Sequence, residues 1–289
     1  MSNAAASNSA AALTPAGVTA LKPAEFERIR RLAHEQFGLD LKHGKEELVS
    51  ARLGKLIRRG GFASFALYYD HVVADRTGES LIEMIDALTT NHTSFLREPA
   101  HFEFLERAAR EEFRGLGVLR IWSAACSTGE EPHSIAFYLL NAGLALRDFR
   151  IRATDISTRA LAKARRAVYP ADRFDAVPPA WRKRFLLRGE GEWKGFYRVK
   201  PEISAAMDFE RLNLIEPLAD RGLYHVIFCR NVMMYFDRRT QGDLVNRLAG
   251  RLEPGGYLFV GHSESLSGVQ HSLAYVRPAI YRNGRGRKP

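Results

Sequence analysis

The stretch RIWSAACSTGEEPHSIAF (120–137) decides the architecture. It opens on a short apolar run, passes through small residues, turns at Gly129 and enters a helical pattern, with Pro132 suited to the first turn. Strand, small-residue turn and helix in that order begin a βαβ unit. The helix amino terminus then lies beneath the turn, and small side chains let a cofactor approach the backbone. The stretch is neither GxGxxG nor GxxxxGK[ST], so a phosphate-cradling loop is not expected. Glu130 and Glu131 follow the glycine directly. Carboxylates there would repel a pyrophosphate and suit a ligand with cationic groups. They also serve as ordinary amino-terminal helix charges, worth ~0.3–1 kcal/mol.

Working outward, FRIRATD (149–155) reads as a second strand and STRALAKARRAVY (157–169) as a helix capped by Ser157. PHSIAFYLLNAGLAL (132–146) and RRTQGDLVNRLAGRL (238–252) read as helices. MDFERLNL (207–214), YHVIFCRN (224–231), GYLFVGH (256–262) and LAYVRPAIYRN (273–283) supply strands. This alternation predicts a mostly parallel sheet with helices on both faces, and ligands beyond the carboxyl ends of the strands where the strand order reverses. Residues 170–206 are too long for a plain connection and read as an inserted antiparallel hairpin unit. Upstream, Phe26, Ile29, Leu32 and Ala33, then Val49, Leu53, Leu56 and Ile57, fall at helical spacing with no strand-like alternation. The expected organisation is a disordered leader (1–20), a helical domain (21–90), a sheet domain (91–283) carrying the insert, and a basic tail (284–289).

Composition agrees with a globular chain: 289 residues, 46% hydrophobic, 26% charged, two cysteines. It excludes collagen-like repeats, a disulfide scaffold and disorder throughout. No apolar run approaches the ~20 residues of a membrane-spanning helix. The start carries no basic residue and no long apolar stretch, so a cytoplasmic protein with reduced thiols is expected. The net charge is +10, and residues 147–200 hold 15 Lys/Arg against 6 Asp/Glu. Such a segment is either a solvated basic face or a dock for an acidic partner.

Three further places carry polar groups where a ligand would sit. Asp155 ends the second strand, where an acidic side chain accepts from ribose hydroxyls, or else simply caps a turn. TTNHTSFLRE (89–98) sets Asn91, Thr93 and Arg97 among Leu88, Phe95 and Leu96. It is a lid over the cofactor or a capped helix start. In YHVIFCRNVMMYFD (224–237) an apolar strand runs straight into Arg230 and Asn231, with Tyr235 close behind. No His/Cys/Asp cluster shows metal-ligand spacing.

Taken together, TTNHTSFLRE, WSAACSTGEEPHSIA, ATDIS, RLNLIEP, IFCRNVMMYF and PGGYLFVGHSESL closely resemble the chemotaxis receptor glutamate O-methyltransferases, the CheR-type family of S-adenosylmethionine-dependent enzymes. The resemblance runs from about residue 21 to 283. It implies an α/β, Rossmann-like methyltransferase domain with a small inserted antiparallel β-subdomain, preceded by a small all-α domain. By motif, it implies that Asn91, Thr93 and Arg97 contact the cofactor, that Glu130 or Glu131 faces its methionine end, and that Asp155 holds the ribose. Asn213 and Leu214 would flank the adenine, and Arg230 and Asn231 would close the site. Arg97 and Tyr235 would stand nearest the transferred methyl. The product would be S-adenosylhomocysteine and the outcome adaptation in chemosensory signalling.

The implied chemistry suits the residues. A glutamate carboxylate, pKa ~4.3, is ionised at neutral pH and needs no strong base to become a nucleophile. The implied partner is the cytoplasmic helical domain of membrane chemoreceptors, for which the stripe Arg52, Lys55, Arg59 on one helix side is a candidate dock. A receptor C-terminal peptide could add as a strand to the insert, whose GEGEWKG loop resembles that of tethering relatives. An integral membrane protein is not expected. Neither is a nucleic-acid partner, since [DNS]PP[YF] and an aromatic stacking series are missing. The remaining alternative is a cofactor-sensing module without catalysis.

Overall fold

The computed structural model describes residues 20–89, 93–218 and 222–284. Asn91, the leader before residue 20 and the basic tail beyond Gly284 lie outside them. The chain divides into two compact units, 1–90 and 91–289.

The first unit is helical: α1 (Pro23–Phe37), α2 (Glu46–Arg59), α3 (Phe65–Ala74) and α4 (Glu79–Leu88). Phe26, Ile29, Ala33 and Phe37 make the buried stripe of α1, and Val49, Leu53 and Ile57 that of α2. The basic stripe on α2 is partly committed inside the unit. Arg52 donates to the Leu88 carbonyl that ends α4, and Arg59 pairs with Glu83. Lys55 is exposed.

The second unit runs α5 (Pro99–Glu111), β1 (Leu119–Ser123), α6 (Glu130–Asn141), β2 (Phe149–Asp155), α7 (Thr158–Arg166), β3 (Val168–Pro170), α8 (Pro179–Phe185), β4 (Leu186–Arg188), β5 (Phe196–Val199), α9 (Pro201–Ser204), β6 (Met207–Arg211), β7 (Tyr224–Cys229), α10 (Arg238–Ala249), β8 (Leu252–Val260), β9 (Leu273–Arg277) and β10 (Ile280–Asn283). One sheet has the order β6-β2-β1-β7-β8-β10-β9. All its pairings are parallel except those of β10. The order reverses direction between β1 and β7, which places the ligand crevice at their carboxyl ends.

Strand alternation builds a core on each face. Ile121, Val226, Phe228, Tyr257 and Phe259 point to the layer that holds Phe102, Leu105 and Phe137. Trp122, Ile227, Cys229, Leu258 and Val260 point to the layer of Leu244, Val245 and Leu248. Phe228 and Phe259 stack at 4.5 Å. Burying each such side chain contributes about 1.5–3 kcal/mol.

The structure differs from the sequence reading in several places. The helix start offered as one reading of 89–98 falls at Pro99, where α5 begins with Phe102, Leu105 and Ala109 on its buried face. Helix α6 begins at Glu130 and ends at Asn141, just before Gly143 takes a left-handed conformation with φ 94°. Helix α7 stops at Arg166, and the next residues already form β3, so the small sheet begins before 170. That sheet is antiparallel with the order β3-β5-β4. It is a three-stranded unit with α8 between its first two strands, not a single hairpin. Among the described residues no helix is long and apolar enough to cross a membrane.

Candidate active site

Three strand ends converge at the switch point. After β1 the chain runs Ala124–Thr128 into the turn at Gly129. The Ala124 N–H donates to Phe228 O of β7 (2.7 Å) and the Cys126 N–H to Thr154 O of β2 (2.9 Å). The turn therefore lies between its two neighbours. Gly129 has φ 98°, and a Cβ on it would come within 2.8 Å of both the Ala164 Cβ and the Tyr169 hydroxyl. Only glycine fits there.

Asp155 closes β2 and organises this turn. Its carboxylate accepts the Ser127 N–H at 2.8 Å and the Ser157 N–H at 2.9 Å. On the other side of β2, the Leu212 N–H donates to Asp155 O at 3.0 Å, which brings Asn213 and Leu214 next to the same strand end. The Asn213 side chain donates to Glu216 and accepts the Ile215 N–H. Leu214 is buried, and its carbonyl accepts from Arg247 of α10 at 2.7 Å.

The tandem glutamates are both buried, and each has taken an arginine. Glu130 accepts from Arg173 at 2.5 Å and from the Thr128 hydroxyl at 2.6 Å. Glu131 accepts from Arg230 at 2.9 Å and from the Ser123 hydroxyl at 2.7 Å. Burial pushes the Glu131 carboxyl up, against the pull of Arg230. The Arg230 side chain is only 1% exposed and also pairs with Glu98 at 2.9 Å. Burial opposes the charge on Glu98. The nearby guanidinium, the Asn231 side chain and the His262 N–H outweigh it and hold the carboxyl below its ordinary range.

The segment 93–97 rides on this network. Its Arg97 carbonyl accepts from Arg230 at 2.5 Å and its Thr93 carbonyl from Arg173 at 2.6 Å. The Leu96 N–H donates to the Ser134 hydroxyl of α6 at 3.0 Å. Phe95, 1% exposed, stacks on Phe174 at 4.3 Å and anchors the segment. Beyond β7, Asn231 adopts φ 57°, a conformation asparagine tolerates better than most residues. Glu264 accepts the N–H groups of Asn231 (2.7 Å), Gly261 (2.7 Å) and Met234 (3.3 Å) and so shapes the turn that ends at Tyr235. A Cβ on Gly261 would stand 2.5 Å from Asn231 Nδ2.

Folding thus gathers Thr93, Arg97, Glu130, Glu131, Arg230 and Asn231 into one bonded cluster, with Asp155, Asn213 and Leu214 grouped at the adjoining strand end. Tyr235 joins through the Glu264 turn and is half-buried. Sequence reading missed Glu98, Arg173, Ser123 and Glu264 as members. Glu98 adjoins Arg97, and Glu264 lies in GHSESL, yet their partners are far along the chain and no spacing announces them. The same holds for Glu98, His101 and His262, whose possible ligand atoms lie within 4.8 Å of one another. The Arg230 guanidinium already holds a Glu98 oxygen and would repel a cation there.

Residues 91–281 match the family described as CheR methyltransferase, SAM binding domain, and residues 24–89 its all-alpha domain. The chain belongs to the CheR methyltransferases. Chemotaxis protein methyltransferase 2 of Pseudomonas aeruginosa is 40% identical over 261 residues, covering 89% of this chain and 92% of its own. The chemotaxis protein methyltransferase of Salmonella typhimurium is 38% identical over 264 residues, covering 91% of each. Among solved structures, an rRNA methyltransferase from Streptomyces viridochromogenes aligns over 68% of this chain and 88% of its own at 14% identity and a TM-score of 0.40. That likeness is too slight to bear on activity.

This CheR methyltransferase is an enzyme whose cofactor is S-adenosylmethionine. The residues at the switch point fit that group. The Asp155 carboxylate stands at the carboxyl end of β2, beside the small-residue turn. The Ser127 hydroxyl, next to it, is buried with no hydrogen-bond partner within the protein. Small residues line the turn and let a ligand approach the backbone.

Proposed function

We propose that this CheR methyltransferase methylates glutamate side-chain carboxylates on chemotaxis receptors, giving glutamate methyl esters and S-adenosylhomocysteine as the adaptation step of chemosensory signalling. The observation that carries this reading is the state of the ionisable groups at the strand ends. Glu98, Glu130, Glu131, Asp155 and Glu264 are each engaged by an arginine or by backbone N–H groups. None is set up as a general base. Burial holds His101 neutral, pushed down to about 3, and His133 likewise, to about 4. Burial pushes the Cys126 thiol well up, which removes a thiolate nucleophile. A carboxylate acceptor needs no base, and the relatives are chemotaxis protein methyltransferases.

The cofactor supplies an electrophilic methyl on a sulfonium. When bound, it would offer that methyl to a receptor carboxylate oxygen, the electron pair of the C–S bond staying on sulfur. In this reading the protein supplies position and a dry site. Asp155 holds the ribose, Asn213 and Leu214 flank the adenine, and Thr93 and Asn91 hold the cofactor from the lid segment. The buried Arg230 acts by fixing that segment, together with Asn231. Arg97 offsets desolvation of the incoming carboxylate through a charge-assisted contact, and Tyr235 orients it.

Receptor contact divides between the two units. On the helical domain, Lys55 supplies the exposed charge for an acidic receptor helix. On the insert, the edge strand β4 presents Leu187, 46% exposed, beside Arg188, and the following loop presents Trp193, 59% exposed. Such an edge accepts an extended peptide by strand addition. Both contacts belong to the cytoplasmic face of a receptor.

The deciding experiment incubates the protein with radiolabelled S-adenosylmethionine and receptor-containing membranes. Label on the receptor that base releases as methanol is expected. Base-stable label, or label in nucleic acid, overturns the ester assignment.

A further inference from the structure

Two arginines bracket the segment 93–97, one at each end, and each is neutralised by one of the tandem glutamates. The Arg230 arm belongs to the parallel sheet. The Arg173 arm does not: it comes from the short 3-10 turn Ala171–Phe174 that follows β3, the first strand of the small sheet.

We propose that Arg173 is a positioning residue for methyl transfer, holding the cofactor-binding segment 93–97 from the insert through Glu130 and the Thr93 carbonyl. The inference rests on the reading of this crevice as the S-adenosylmethionine site.

The geometry is that of a clamp with three anchor points. One nitrogen of Arg173, Nη2, donates both to Thr93 O at 2.6 Å and to Glu130 at 2.5 Å. The other Glu130 oxygen takes the Thr128 hydroxyl, so the charge that holds the lid segment also holds the Gly129 turn. Four residues before Arg173, the Tyr169 hydroxyl donates to the Thr128 carbonyl at 2.7 Å. One residue after it, Phe174 stacks on Phe95 within the segment, and the Tyr169 ring meets Phe95 edge-on at 5.1 Å. The insert therefore grips both walls of the crevice, the turn and the segment. The Glu130 side chain is 1% exposed and that of Arg173 35% exposed, so the pair shields a buried carboxylate from the insert side. A guanidinium can serve two acceptors in fixed directions, where an ammonium is a mobile point charge.

The test uses the full-length protein, with S-adenosylhomocysteine affinity by calorimetry, KM for S-adenosylmethionine and kcat on receptor membranes, and thermal midpoint. Arg173→Met is expected to weaken S-adenosylhomocysteine at least tenfold and raise KM in proportion, with kcat within about threefold. Arg173→Lys should recover part of the loss. The comparison that separates positioning from stability is Glu130→Gln against Glu130→Gln/Arg173→Met. The two should melt within a few degrees of each other, because neither keeps the buried Glu130 charge and the Arg173 side chain, 35% exposed, reaches solvent, yet the double variant should bind S-adenosylhomocysteine at least tenfold more weakly. Equal affinities would mean that Arg173 only neutralises Glu130, and the proposal falls. This pair carries the test even where Arg173→Met alone does not fold. Asp155→Asn reports on the site itself. If it binds as wild type does, the cofactor assignment fails and takes this inference with it. If it weakens while the Arg173 variants do not, only the positioning role is lost.

Discussion

Arg230 and Glu131 stand 99 residues apart in the chain and 2.9 Å apart in space, one at the end of β7 and the other in the first turn of α6. Their ion pair bridges the point where the strand order reverses. Glu98 shares the same guanidinium, so one buried cation balances two carboxylates that would otherwise be stranded.

Removing that cation is the costly change. Arg230→Met is expected to lower unfolding free energy by about 3–5 kcal/mol in chemical denaturation, the cost of leaving a buried partner unpaired. Arg230→Met/Glu131→Gln should regain more than half of it. A single variant that loses less than about 1 kcal/mol would show that the carboxylates find water instead.

Arg97→Ala separates chemistry from fold. The Arg97 carbonyl is what Arg230 holds, and alanine keeps it. Methyl transfer should fall at least tenfold, about 1.4 kcal/mol of barrier, while the thermal midpoint barely moves. Tyr235→Phe should lower kcat by a smaller factor with KM for S-adenosylmethionine unchanged. Wild-type turnover in Arg97→Ala would remove that side chain from the transfer step.

Asp155→Asn keeps the shape of the side chain, but its one oxygen accepts only one of the Ser127 and Ser157 N–H groups, which take different oxygens of the aspartate. Calorimetry should show S-adenosylhomocysteine binding weakened at least tenfold, the loss of a charge-assisted pair of about 1.5–3 kcal/mol. Unchanged affinity would place the ribose elsewhere.

His133 ties stability to pH. It is fully buried with Nδ1 2.7 Å from the Gly129 carbonyl, and desolvation pushes its pKa from the ordinary 6.5 down to about 4. The unfolded chain takes a proton below about pH 6.5 that the native imidazole refuses until about pH 4. Stability from this group is therefore complete above pH 6.5 and is lost as pH falls through that window, by about 3 kcal/mol at most. His133→Asn should flatten the decline between pH 7 and 4.5 relative to wild type. An identical slope in the variant would assign the decline to other groups.

Lys55→Glu addresses the helical domain alone. The apparent KM for receptor should rise about threefold or more, most strongly at low salt, with S-adenosylhomocysteine affinity untouched. Arg52 is a poor probe of the same face, because its reversal would also break the contact with the Leu88 carbonyl.

The sheet was legible because β1, β2 and β7 are short apolar runs separated by helical repeats, and a period of two or 3.6 survives in any local window. Asp155 was legible for the same reason: a strand end can be counted. The arginine network was not. Arg230 meets Glu98 across 132 residues and Asn231 meets it across 133, and no local spacing encodes such pairs. Helix α5 was legible only as one of two readings of 89–98, and its start at Pro99 was not located. The start of the insert was hidden because Val168–Pro170 continues a helical-looking run, and the left-handed Ala167 that breaks it is not a residue type that signals a break.

The close approach of Gly129 to the Tyr169 hydroxyl and Ala164 has a consequence for anyone recombining these enzymes. A chimera that exchanged receptor preference by transplanting the insert from a relative would, if cut at 168, replace the tyrosine that closes the turn on β1. The seam belongs after Phe174, where the host keeps its own Tyr169 and Arg173 and the donor contributes β4 and β5.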